Sequence, residues 1–143
     1  MIRVAHLAKK VIFVPVKKLC MKIEVSNGEI IDKLTIIEIK LERITDAGKK
    51  GNLKKEFDIL DRAASEIIKR SDPLYTDLYR VNSELWDIED RIRDMERRKN
   101  FGPDFIETAR QVYIKNDLRS EIKRKINIST GSGLIEEKSY DKY

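Results

Sequence analysis

The chain is short of the residues that build disulfides, metal clusters and frequent turns. One cysteine, Cys20, excludes an internal disulfide framework, and one histidine, His6, excludes the usual zinc constellations of grouped Cys and His. The cytoplasm is the expected location on that cysteine usage. Only three prolines and six glycines occur in 143 residues, so the elements are expected to be long. No apolar run approaches a membrane span, and the stretch from Val11 to Val16, interrupted by Pro15, is too short for a signal-peptide core. No membrane partner is expected.

Acids are missing from one region. Residues 1–20 hold Arg3, Lys9, Lys10, Lys17 and Lys18 without an Asp or Glu, and these five account for the whole formal charge of +5. Thirty basic residues less those five leave 25, which match the 25 acids of the remainder. The pI therefore says little about the body of the protein, and nucleic acid is not its expected partner. Two readings of residues 1–20 stand side by side: a β-strand around Val11–Val14 that Pro15 confines to an edge, or a basic extension upstream of a natural start at Met21.

What is abundant is charge, 38%, beside 41% apolar residues, a mixture suited to amphipathic helices. Met21–Val25 alternates as a short strand would, and Ser26 and Glu29 have the spacing of a capping box. From there Ile30, Leu34, Ile37, Leu41 and Ile44 recur at intervals of four and three, predicting a helix over 28–46 that ends within AGKKGN. Asn52 is a fitting cap for a second helix, 53–70, with the stripe Leu53, Phe57, Leu60, Ala64 and Ile67. Asp72 and Pro73 open a third over 73–99, whose seam is Leu74, Leu78, Val81, Leu85, Ile88, Ile92 and Met95. Pro103 opens a fourth over 103–127, where Asn116 and Arg119 stand at positions due to be apolar. Residues 128–143 form a tail, expected to dock through Leu134, Ile135 and Tyr140.

At 1.5 Å per residue the two later helices are about 40 Å long and the earlier two about 27 Å. Short connections make neighbours antiparallel, so the expected fold is all-α: two helical hairpins packed as a four-helix bundle in one domain, 21–143, with a short N-terminal β element as an option. The longer hairpin should overhang by about 13 Å. That overhang needs a cover.

Three clusters bear on chemistry. Asp87, Asp90 and Asp94 share a face of the third helix and resemble a magnesium-binding row, but Arg91, Arg93 and Arg98 stand within reach as ion-pair partners, and no metal site is expected. Tyr75, Tyr79, Asn82 and Trp86 flank the seam, while Tyr113, Asn116 and Ser120 do so on the fourth helix. With Arg119 and Lys123 one turn apart, Asn82, Trp86, Tyr113, Asn116, Arg119 and Lys123 form the best candidate site, a lining for a small anionic ligand. The competing explanation is that the aromatics fill a wide core and the asparagines fix register. Thr130-Gly131-Ser132-Gly133 follows a helix C-terminus, whose partial charge repels phosphate, so it reads as a C-cap and hinge.

Taken together, NGEIIDKLTIIEIKLERI (27–44), LWDIED (85–90), VYIKNDLRSEIKRKIN (112–127) and EEKSYDKY (136–143) resemble a bacterial and phage family that is a domain of unknown function, over about residues 21–143. The resemblance leaves out residues 1–20 and implies no activity. A looser likeness, at the level of fold, is to the all-helical chorismate mutases, through Ile31-Asp32, Leu34, Leu41 and Arg43. It implies arginines and a lysine gathered around a dicarboxylate, although the second helix lacks those enzymes' Asp-x-x-Arg-Glu pattern.

The function expected from these observations is that of an interaction or assembly module, a homodimer through the overhanging hairpin. A helical enzyme or binder of a small anion is the alternative, and nucleic-acid binding a second one. No cofactor is implied.

Overall fold

Ser26 starts the first helix. In the computed structural model, which describes residues 21–141 and 143, its hydroxyl accepts a hydrogen bond from the Glu29 amide at 3.2 Å. Helix α1 runs Asn27–Arg43. The reciprocal half of the capping box is absent because the Glu29 carboxylate accepts from Lys123 on another helix.

Helix α2 runs Ala47–Ser65, not 53–70. Asp46 caps it by accepting from the Lys49 amide at 2.8 Å, which lets AGKKGN, expected to be a break, form the first turns. A good cap is worth about 1 kcal/mol, enough to offset one of the two helical glycines, Gly48 and Gly51. Only Ile44–Asp46 separates the two helices.

Helix α3 runs Pro73–Arg97, with Asp72 accepting from the Leu74 amide at 2.9 Å. Helix α4 runs Pro103–Ser129. Its end is a Schellman motif in which Gly131 takes φ +64°, Ser132 donates to the Asn127 carbonyl at 2.9 Å and Gly131 to that of Ile128. The TGSG stretch thus acts as a C-cap. The end of α3 has the same form, with Asn100 donating to the Met95 carbonyl at 3.0 Å, but here Lys99 occupies the left-handed position at φ 55°. A side chain there costs about 1–2 kcal/mol. Lys99→Gly should therefore raise stability by roughly 1 kcal/mol. A urea midpoint that stays put or falls would contradict this.

The four helices form an all-α bundle with α1 as its hub. Backbone packing joins α1 to α2, α3 and α4, and α3 to α4, whereas α2 rests on α1 alone. That position explains why α1 is buried on more than one stripe: Ile31, Leu34, Ile37 and Ile39 are all covered, and so are Asp32 and Thr35 between them. Ile30 and Leu41, expected in the seam, are only half-buried. The core joins Ile31 and Leu34 to Ala64 of α2, to Tyr75, Leu78 and Val81 of α3, and to Ile122 and Ile126 of α4.

Two expectations about the termini are corrected. Among the described residues there is no strand: Met21–Val25 is irregular, having no neighbour to pair with. The proposed strand at Val11–Val14 and the basic extension lie outside the described residues. The tail does not dock through Leu134, Ile135 and Tyr140, which are 47%, 45% and 80% exposed. It is held by polar contacts instead. Glu137 accepts from Arg124 at 2.9 Å, and Lys138 donates to Asp117 and to the Asn116 carbonyl, both at 3.2 Å.

The overhang is present. Contacts of α1 with α3 run from Tyr75, which donates to Glu38, to Asp87, which pairs with Arg43. No polar contact from α1, α2 or the tail is found beyond Asp87 on α3 or before Tyr113 on α4 among the described residues. Ten residues on each helix remain, a hairpin tip about 15 Å long.

Candidate functional site

Two places in the molecule combine exposure or polarity with a defined geometry. The first is a polar cluster where the start of α1 meets the middle of α3 and the second half of α4. Asp32 is 1% exposed among apolar neighbours, and such a carboxylate must be paired. Arg119 supplies the pair as a fork: Nε donates to Oδ1 at 2.8 Å and Nη2 to Oδ2 at 2.5 Å. Asn82 donates to Asp32 Oδ1 and to the Thr35 hydroxyl, each at 2.9 Å. Asn116 steadies the guanidinium by accepting from Nη1 at 3.3 Å. The hydrogen bonds to Asp32 hold the Arg119 pKa above its ordinary value against the opposing effect of burial.

Lys123, one turn on, stands 4.0 Å from Asp32 and donates to Glu29 and, at 2.9 Å, to Glu136 of the tail. Burial works against its charge, but those carboxylates outweigh it and its pKa lies above the ordinary value. For Glu136 burial acts upward, and the hydrogen bonds from Ser26, 2.6 Å away, and Lys123 bring its pKa below the usual range. Beside them Asn127, also buried, accepts from the Gly28 amide at 2.6 Å. Every buried polar side-chain atom among the described residues has a partner. The cluster is closed as it stands.

Of the six residues expected to line a site, Asn82, Asn116, Arg119 and Lys123 belong to this cluster. Trp86 and Tyr113 do not. Trp86 lies under the Arg43 guanidinium, 5.8 Å from its ring centre, near the end of α1. Tyr113 faces outward and meets Tyr143 edge-on at 4.8 Å. Arg43, which the mutase likeness places beside a dicarboxylate, is eleven residues along α1 from Asp32, about 16 Å away. Asp32, Glu29, Ser26, Asn127 and Glu136 are the members missed from sequence. Asp32 lies off the row Ile30, Leu34 and Ile37 and beside the exposed Lys33, so spacing carried no signal for it. Ser26 and Glu29 looked fully occupied as a capping box.

The acidic row of α3 does not converge either. Asp94 pairs with Arg98 at 3.0 Å and Arg97 at 3.1 Å, but Asp87 turns to Arg43 and Arg93 pairs with Glu89. Among the described residues no three His, Cys, Asp or Glu side chains group as metal ligands.

Beside the cluster a cleft of about 250 Å³ opens between α4 and the tail, lined by Asn116, Arg119, Lys123, Arg124, Glu136 and Glu137 among others. Glu29, Asp32 and Glu136 already set three carboxylates against Arg119 and Lys123. Free cationic capacity is small.

The second place is the hairpin tip. Ile88, Ile92, Met95, Phe105, Thr108, Ala109 and Val112 are covered or half-covered where α3 and α4 pack on each other. Phe101 and Ile106 are not: they are 50% and 59% exposed, with Phe101 edge-on to Phe105 at 5.3 Å. Along the α3 tip the charges run Glu89 and Asp90, then Arg91 and Arg93, then Asp94 and Glu96, with Arg97, Arg98 and Lys99 at and just past its end.

No helix among the described residues is long and apolar enough to cross a membrane. No curated protein and no solved structure matches the chain. A family model does match, over residues 21–143, and in agreement with the motifs at 27–44, 85–90, 112–127 and 136–143 the chain belongs to the family of unknown function DUF6165.

Proposed function

We propose that this protein is an assembly module of the cytoplasm that pairs with a second copy of itself through the α3–α4 hairpin tip. The observation that carries the reading is the tip itself: two helices extending about 15 Å past the hub, with Phe101 and Ile106 open at their junction. A second copy is the occupant that the charge pattern suits. In an antiparallel, two-fold arrangement the acidic start of one α3 tip, Glu89 and Asp90, faces the basic end of the other, Arg97, Arg98 and Lys99, and the reverse holds at the same time.

The other two readings have less behind them. A small anion entering the polar cluster competes with carboxylates that already hold Arg119 and Lys123. The basic residues at the end of the α3 tip and on α4 alternate with acids, Arg97, Arg98 and Lys99 beside Asp94 and Glu96, and Arg124 beside Glu137. A nucleic-acid surface needs an excess of cations over a continuous face.

Hydrogen exchange at amides 88–112, compared between dilute and concentrated protein, tests the pairing. Concentration should slow exchange about tenfold or more in the wild type, and Phe101→Glu/Ile106→Glu should abolish that dependence while leaving the helical circular dichroism intact. Exchange in the wild type that does not vary with concentration would end the proposal.

A further inference from the structure

A second exposed apolar segment lies at the end of the bundle opposite the hairpin tip. Met21, Ile23 and Val25 are 79%, 80% and 40% exposed just before α1 begins. Among the described residues their backbone makes no hydrogen bond with a neighbouring segment. Unpaired N–H and C=O groups flanked by alternating apolar side chains are what a strand presents to a partner strand. The tail leaves the bundle at the same point: Asn27 donates its amide to the Ser132 hydroxyl at 3.0 Å, and the Ser26 hydroxyl donates to Glu136. Leu134 and Ile135, both exposed, lie in the chain between Ser132 and Glu136, the residues that hold Asn27 and Ser26.

We infer that residues 21–25 pair antiparallel with the same residues of a second copy, centred on Ile23. The order Met-Lys-Ile-Glu-Val is what selects that partner and register. With Ile23 opposite Ile23, each Lys22 faces the other copy's Glu24 and each Met21 faces the other copy's Val25. Both charges are compensated on one side of the two-stranded ribbon, and the apolar residues collect on the other. A shift by one residue sets Ile23 against a charge and loses both pairs. Two five-residue strands alone are marginal, so the apolar side needs a floor, and Leu134 and Ile135 are the exposed apolar residues that the tail carries to this end.

Site-specific disulfide formation in the full chain tests this without reference to the hairpin tip. In a Cys20→Ser background carrying Phe101→Glu/Ile106→Glu, Ile23→Cys should oxidise to a linked dimer at least tenfold faster than Val25→Cys. Directly opposed residues of antiparallel strands lie about 4.5–5.5 Å apart at Cα, within disulfide reach. Adding Glu24→Lys to Ile23→Cys should slow the linkage about tenfold, because two ion pairs become two repulsions. Adding Lys22→Glu as well should restore it. Equal rates at positions 23 and 25, or a rate indifferent to the charge changes, would overturn the inference. Because the tip is disabled in every variant compared, neither outcome bears on the tip pairing.

Discussion

Arg119→Met should destabilise the fold by about 3–5 kcal/mol, the usual consequence of leaving one member of a buried ion pair without the other. Asp32 is 1% exposed and the Arg119 fork supplies two of its hydrogen bonds, leaving Asn82 and a lysine 4.0 Å away. The methionine fills much of the same volume, so the loss reports charge and hydrogen bonding and not a cavity. Urea denaturation gives the number. The double replacement Asp32→Leu/Arg119→Met should recover most of it, since an apolar pair of similar size is often no worse than a buried ion pair. A loss under about 1 kcal/mol for Arg119→Met would mean that Lys123 swings in to replace the fork.

Gly28→Ala should also destabilise, by about 1–3 kcal/mol, although the same change in an open helix is favourable by about 1 kcal/mol. A β-carbon on Gly28 would lie 2.6 Å from the Lys123 carbonyl oxygen and 2.9 Å from Asn127 Oδ1. The first is backbone of α4 and cannot turn aside. Relief has to come from moving α1 off α4, which stretches the Asn127 hydrogen bond to the Gly28 amide and loosens Lys123 from Glu29. Gly51→Ala is the matched control: nothing lies within 4 Å of its added carbon, so it should stabilise. If both alanines shift the urea midpoint in the same direction, the close approach of the two helices is not what holds Gly28.

Much of this architecture was legible in the chain. Asp72-Pro73 and the seam Leu74 to Met95 specify α3 because cap, first residue and period agree. The unequal helix lengths foretold the overhang. The start of α2 was misread because two glycines in AGKKGN carry a strong break signal, while Asp46, a better cap than Asn52 by position, sits inside what looked like helix. Site membership was half legible. Asn116 and Arg119 interrupt an apolar row, Asn82 flanks the α3 seam and Lys123 follows Arg119 by one turn, and a polar residue on a buried stripe has to find another. Trp86 and Tyr113 share those stripes by spacing, but a large ring reaches the edge of a helix pair and its orientation depends on the neighbour, here Arg43 for one and Tyr143 for the other. Glu136 had no signal, since its role comes from the return of the tail over Ser26, a contact across 110 positions.

The hub position of α1 has a consequence for the order of folding. Its partners on α4 lie far along the chain, with Asp32 bonded across 87 positions and Gly28 across 99, whereas α3 and α4 meet through a five-residue link. Local closure is fast and distant closure slow, so the α3–α4 hairpin is expected to form as a unit and α1 to dock onto it. During synthesis α1 and α2 emerge first, yet Asp32 has no counter-ion until Arg119 is made. Until then burial of the Asp32 carboxylate is opposed by its hydration, which keeps the apolar row around it from closing prematurely on the wrong surface. Of the four described helices, the first to be made is the last to be completed.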